Sequence, residues 1–235
     1  MPENSYVVTL KNRGLIHVEG EDRASFLQGL ITNDINKATP GAIIYACLLT
    51  PQGKFLHDFF IHNTGDAFLL DCEGGERAQD LYNRLIKYKM RAKVQVSVEE
   101  NTPVYAILSN TEYQIPNTLQ DPRHSALGHR SFIKPDLPEK PFEYWDLTRI
   151  QHTIPDGSRD LIPGKSTMDE AKMDTLGAVD YKKGCYIGQE LTARMHYRGL
   201  GKKHLATIKL ANAPENAEIR SQCGDYALAL VRTES

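Results

Sequence analysis

Eight consecutive residues carry the strongest chemical signal in this chain: Lys183-Gly184-Cys185-Tyr186-Ile187-Gly188-Gln189-Glu190. The cysteine stands between glycines, with Lys182 and Lys183 just upstream and a helix pattern over Gln189 to Met195. A thiol at a loop-to-helix junction beside ammonium groups is favoured as thiolate, the reactive form of cysteine. Behind it come Arg194, His196, Arg198, Lys202, Lys203 and His204, with no acidic residue from Thr192 to Leu205. In a chain of net charge −2 that run is a local anion-binding stripe. A cysteine nucleophile also needs a base, and the local sequence offers only His196. A small cysteine beside glycines is equally a packing choice, and a basic run equally a solvated face. The residues alone leave both readings open.

Other motifs fail on spacing. Gly164-Lys165-Ser166-Thr167 ends like a phosphate-binding loop, but the glycine needed five residues earlier is Arg159. Gly199-Leu200-Gly201 opens like a dinucleotide fingerprint, yet His204 replaces its third glycine. The eight histidines include no H-E-x-x-H, and the 57/62 and 124/129 pairs lie on an expected strand and a Pro-bounded loop. No G-x-S-x-G elbow occurs, which disfavours a serine hydrolase.

Strands arriving in hairpins must position these residues. Leu15, Ile16 and Val18 form a short strand ending at Gly20, and Asp22 to Ile31 reads as a helix. Ala42 to Leu49 reads as a strand buried on both faces, and Pro51-Gln52-Gly53-Lys54 as a type II turn returning through Phe55 to Ile61. Ala67 to Cys72 is a further strand. After Gly74-Gly75, the residues Ala78, Leu81, Tyr82, Leu85 and Ile86 follow the helical template without a gap. Val94 to Val98 and Val104 to Leu108 are strands. Five of the twelve prolines fall between Pro116 and Pro141, which reads as a connector or an excursion between subdomains. Helices are expected over Glu143 to Ile154 and Met168 to Leu176, and strands over Leu205 to Leu210 and Tyr226 to Val231. This order argues α+β with a largely antiparallel sheet.

At 235 residues, 40% apolar and 25% charged, the chain is an ordinary globular one of one large or two small domains. The opening Met1-Pro2-Glu3-Asn4-Ser5 has no secretory character, and the longest apolar run, Ala42 to Leu49, is far short of a span. Cys47, Cys72, Cys185 and Cys223 lack C-x-x-C spacing, so neither a disulfide framework nor a metal-ligand set is expected. Scattered thiols fit a reducing cytoplasm, with no membrane partner.

The motif K-G-C-Y-I-G-Q-E, with Arg194 and Tyr197-Arg198-Gly199 after it, resembles the signature of the YgfZ-type folate-binding family. That family is related to the glycine cleavage T-protein, an aminomethyltransferase, and to the mitochondrial Iba-type iron–sulfur assembly factor. The similarity extends to Gly20 with Phe26-Leu27-Gln28-Gly29, to the Leu48–Phe60 hairpin and to Tyr88–Val94. It also covers Asp121-Pro122-Arg123, Leu127 to Arg130, and Arg149-Ile150 with Ile154-Pro155.

The resemblance implies a T-protein-like folate-binding fold of mixed α+β subdomains around a central cavity, followed by a reduced C-terminal β-barrel. Residues 1–48 with 131–198 would form the first subdomain, carrying the motif; 49–130 would form the second, and 199–235 the barrel-like segment. It implies tetrahydrofolate or a derivative as ligand. The corresponding folate-binding positions are Lys183, Gly184, Tyr186, Gly188, Gln189, Glu190, Arg194, Arg198, Asp58 and Arg149. It further implies a role in iron–sulfur cluster assembly or repair, supporting cluster-dependent enzymes such as those that modify tRNA. Assembly proteins or recipient enzymes would be the partners, and Cys185 the central residue and a transient contact to cluster iron. The chain departs from T-proteins at His57-Asp58, where those carry paired aspartates. That argues against the alternative, a folate-dependent aminomethyltransferase, and against a turnover enzyme. Direct nucleic-acid binding is disfavoured by the near-neutral charge and by the lack of interleaved aromatics beyond Tyr197.

Overall fold

The computed structural model describes residues 5–99, 102–109, 118–199 and 201–232. Met1 to Asn4 of the N-terminal reading, Pro116 of the connector reading and Leu200 of the glycine fingerprint lie outside the described residues.

Two long apolar runs, β3 (Ile43–Leu49) and β4 (Phe55–Asn63), form the expected hairpin. The turn closes one residue earlier than expected, Gly53 N–H donating to the Thr50 carbonyl at 2.8 Å with Gly53 at φ +73°. The hairpin is one side of a five-stranded antiparallel sheet that continues through β5 (Ala67–Glu73), β2 (Arg13–Glu19) and β6 (Gln95–Glu99). Both faces are covered, so its central strands are apolar without alternation. On one face Ile44, Ala46, Leu48, Phe59 and Ile61 pack under α1 (Arg23–Gln28) and α2 (Glu76–Lys89). On the other, Tyr45, Cys47, Leu49, Phe55 and Phe60 meet a second core. That core is shared with α3 (Phe142–Gln151) and a four-stranded sheet of β1 (Tyr6–Leu10), β7 (Val104–Leu108), β9 (His129–Ser131) and β8 (Leu119–Gln120).

Several expectations change. The first helix stops at Gln28; Ile31 instead bridges to Leu48. The Met168–Leu176 helix shrinks to one turn over Asp169–Ala171, because Lys172 adopts φ +48°. In α2, Ala78, Leu81 and Leu85 are buried, but Ile86 faces solvent. The proline-rich stretch is no linker. Its β8 and β9 complete the second sheet, and Arg130 within it is buried against Asp71. The strands β1 and β11 (Glu218–Cys223) carried no pattern strong enough to read.

The chain's last third holds α4 (Gln189–Arg198) and an antiparallel sheet ordered β10 (Lys203–Lys209), β12 (Tyr226–Arg232), β11. Three strands cannot close, and among the described residues there is no barrel. The sheet is held to the body by Arg149, which donates to Ser221 Oγ at 2.7 Å, and by Thr207, which donates to the Ile150 carbonyl. The mixed α+β class stands; the reduced barrel is replaced by an open sheet.

Two buried histidines interrupt β4. His57 faces the helices and meets Asp80 Oδ2 at 2.8 Å, while His62 packs edge-on to Phe132 with its Nε2 unpartnered among the described residues. Burial pulls both down to about 4, and for His57 the Asp80 carboxylate only partly opposes it. An unfolded histidine takes its proton near 6.5, so stability is complete above that pH and is lost as pH falls towards 4. Each histidine should remove about 3 kcal/mol across that window. Urea unfolding at pH 7 and pH 4.5 should show the loss, and His57→Gln should shrink it.

Candidate functional site

The motif loop is pinned from both sides. Lys183 turns inward, and its ammonium donates to the carbonyls of Gln28, Ile31 and Asn33 at 2.7, 2.7 and 2.8 Å. These carbonyls lie at and beyond the C-terminal end of α1, where backbone acceptors lack helical partners and a cation is favoured. Burial lowers the Lys183 ammonium to about 8, against the pull of Asp34 and Asp180. Tyr186 is the second anchor. Its ring joins the core beneath the hairpin, and its hydroxyl is pushed up to about 12 by burial, with Thr192 beside it acting in the opposite direction. Between the two anchors, Gly184 and Cys185 are exposed. Cys47 and Cys72 are buried and Cys223 is half-buried, so Cys185 is the one exposed thiol among the described residues.

Backbone contact fixes the other end of the loop. Gly188, at φ +84°, enters α4 directly against the hairpin turn, where a Cβ would stand 2.6 Å from the Thr50 carbonyl. The relation is reciprocal, since a Cβ on Gly53 would stand 2.8 Å from the Gly188 carbonyl. Ile187 N–H donates to Gly29, and Asp180 N–H to Thr32. The motif is thus laced to the α1 exit and to the hairpin together. Gln189 is half-buried, and Glu190 is exposed in the first turn of α4, where its charge suits the helix dipole.

The basic stripe is less uniform than its sequence. His196 pairs with Asp174 at 3.2 Å, Lys203 with Glu218 at 2.5 Å and His204 with Asp169 at 3.1 Å. Arg194, Arg198 and Lys202 are exposed and have no ion pair among the described residues. Beside them His196 stacks on Tyr181 at 3.9 Å, with Tyr197 edge-on to His196.

Asp58 and Arg149 lie apart from the motif loop. Asp58 points away from His57, into the core between the sheets, where it accepts from the Tyr45 hydroxyl at 2.6 Å. Burial raises its carboxyl despite Arg13 and Arg123 nearby. Its neighbour across the hairpin is Cys47, which shares a core with Tyr186. Arg149 has no surface at all; Asp146, Asp160, Ser221 and the Ile154 carbonyl engage its guanidinium. All three Lys183 donors are taken up by backbone carbonyls, and Arg149 is wholly buried with four of its five N–H groups bonded within the protein.

Sequence reasoning missed a buried charge lattice. Arg13, Arg123 and Arg130 surround the Phe60 ring at 5.5, 4.7 and 3.9 Å and are paired with Asp71 and Asp121. The signal available was Asp121-Pro122-Arg123, an acid and a base two positions apart across a proline. It also missed two adjoining hollows of about 390 and 410 Å³ that share Lys11 and Phe142. The first adds Asn12 and Arg159, the second Thr9 and residues 139–143.

The GCVT N-terminal domain family matches residues 3–110. The structure is similar to glycine cleavage system aminomethyltransferase T from Bartonella henselae, with a TM-score of 0.75 at 15% identity, covering 98% of this chain and 79% of that one. The fold is that of the glycine cleavage T-proteins. The mitochondrial iron–sulfur cluster assembly factor IBA57 of Homo sapiens is 30% identical over 274 residues, covering 96% of this chain and 77% of its own length. Its Mus musculus counterpart is 31% identical at the same coverage, and the Coccidioides immitis homologue is 32% identical over 95% of this chain. The chain belongs to the IBA57 family. It spans 61% of the length of that fungal relative. The expected cytoplasmic setting is overturned, since these relatives are mitochondrial proteins by name.

Replacing Lys183 tests the anchoring. Lys183→Met leaves three buried carbonyls without donors and should lower stability by about 3 kcal/mol or more. Glu190→Gln, on the exposed face, should change it by less than about 0.5 kcal/mol. Chemical denaturation of both variants measures the contrast.

Proposed function

We propose that this chain acts in iron–sulfur cluster assembly or repair, with Cys185 as the thiolate that contacts cluster iron transiently or exchanges with a partner's thiol. The observation that carries this reading is the exposed Cys185 held between two buried anchors, Lys183 and Tyr186. An ordinary packing cysteine would point inward; here the neighbours point inward and the thiol outward. The assembly role named for the IBA57 relatives supports it. The cluster is cargo, bound briefly, which agrees with one ligand rather than a set. Arg194 and Arg198, one turn apart on the outer face of α4, offer charge-assisted hydrogen bonds to an acidic partner, either an assembly protein or a recipient enzyme. Enzymes that modify tRNA are among the recipients proposed, and a mitochondrial setting follows from the relatives.

Tetrahydrofolate or a derivative is the ligand proposed on the T-protein fold. Of the positions the resemblance gives it, Lys183, Arg149 and Asp58 fit poorly, because Lys183 and Arg149 are buried on partners within the protein and Asp58 is sealed by Tyr45, whereas Gly184, Glu190, Arg194 and Arg198 are exposed. The paired hollows at Lys11 and Phe142 fit better. Phe142 offers a ring for stacking, the exposed Lys11 offers a cation for carboxylates, and the Trp145 ring on Phe142 keeps a buried Nε1–H without an acceptor among the described residues; Arg159, which lies over Phe142, is already paired with Asp146 and Asp156. One-carbon transfer is not supported, because His57 faces Asp80 on the opposite side of the sheet from Asp58.

Two measurements separate these claims. In cells lacking the native gene, Cys185→Ser should restore four-iron enzyme activity no better than an empty vector, with the variant protein as stable as wild type. Full restoration would remove the thiol from the mechanism. Calorimetry with tetrahydrofolate should show binding that Phe142→Ala weakens about ten-fold; an absence of heat with the wild-type protein would end the folate proposal.

A further inference from the structure

The C-terminal end of α2 presents a surface that the proposed function does not use. From Arg84 to Lys93 the sequence holds five basic residues and no acidic one. Arg84 is held by Asp80 and Lys93 by Glu21, each at 2.8 Å. Lys87, Lys89 and Arg91 have no ion pair among the described residues. Interleaved with them stand three apolar side chains in solvent: Ile86 at 38%, Tyr88 at 39% and Met90 at 88% exposure. Met90 closes the helix at φ +43°, a conformation that a side-chain-bearing residue adopts at a cost. A glycine would end the helix there without that cost, so the position combines backbone strain with an unburied methionine.

We propose that this helix end is a peripheral docking site for an anionic lipid surface. Lys87, Lys89 and Arg91 would lie at the headgroups, with Met90 and Ile86 entering the acyl boundary and Tyr88 at the interface. Ile86 and Met90, four positions apart, stand on the same side of the helix end, which gives the apolar contact an interfacial segment requires, and each basic group near such a surface adds attraction. A single-stranded nucleic acid would call for several rings in series, and Tyr88 stands alone among aliphatic neighbours. A folded protein partner favours surfaces depleted in lysine, whereas lysine dominates here. The surface lies on the α2 segment, apart from the motif loop, and stands independently of Cys185.

Sedimentation of the full chain with phosphatidylcholine vesicles, with and without phosphatidylserine, tests this. Binding is expected only when the anionic lipid is present and should fall steeply with added salt. Lys87→Gln and Arg91→Gln should each weaken it about five-fold. Met90→Gln, which leaves the charge unchanged, should also weaken it several-fold, and Lys165→Gln, outside the segment, should leave it intact. All four side chains face solvent, so the melting temperatures should match wild type. The proposal is overturned by equal binding to neutral vesicles, by no binding to anionic ones, by indifference to Met90→Gln, or by tighter binding of tRNA through the same residues.

Discussion

A single carboxylate, Asp71, holds the two large sheets in register. It sits on β5 of the five-stranded sheet with no exposed surface, receiving Arg13 Nε at 2.7 Å and Arg130 Nε at 2.9 Å. Burial alone would push its proton affinity up; Arg13 and Arg130 outweigh that and keep it ionised. Arg130 comes from β9 of the other sheet and also reaches Asp121, which in turn clasps Arg123. The guanidinium groups lie over Phe60, so their weakly hydrated faces are covered by an aromatic ring. Such a lattice contributes little net stability over an apolar core of the same shape, but removing one member strands the rest at a cost of about 3–5 kcal/mol. It specifies one arrangement of the sheets and penalises others.

The motif depends on that arrangement. Lys183 can cap the α1 exit only because α1 and the β3–β4 hairpin are fixed on the same sheet, and Gly188 then meets Gly53 at the hairpin's tip. Of the eight motif residues, four shape the loop: Lys183 and Tyr186 by burial, Gly188 by close approach and Ile187 by its bond to Gly29. Cys185 is what they display. Of the six motif residues chosen from sequence as ligand contacts, three, Lys183, Tyr186 and Gly188, belong to the frame around Cys185.

The fold was more legible than the site. Alternation and turn chemistry revealed β2, β3, β4, β5, β7 and α2, because each carries its signal within a dozen residues. Where tertiary contacts decided, the pattern misled: Leu30 and Ile31 continue the apolar stripe of α1, yet the chain leaves the helix at Gly29 to meet Leu48. Prolines suggested a connector or an excursion between subdomains at 116–141, because composition cannot show that Arg130 finds its partner 59 positions away. At the site, residue type identified Cys185 but not direction. Nothing in K-G-C-Y tells which side chain turns inward, since that is set by carbonyls at 28, 31 and 33, contributed by a distant helix end. Arg149 read as a ligand cation for the same reason; Asp146, Ile154 and Asp160 engage it from nearby in sequence, and Ser221 reaches it from β11, a strand with no visible pattern.

The paired glycines at the hairpin tip make two distant turns into one mechanical part. Backbone touches backbone at Gly53 and Gly188, with no side chain between to flex and absorb a displacement. A partner that pressed on the Pro51–Lys54 turn would therefore transmit its push into the thiol-bearing loop almost undamped. The hairpin tip is a lever whose other arm ends at Cys185.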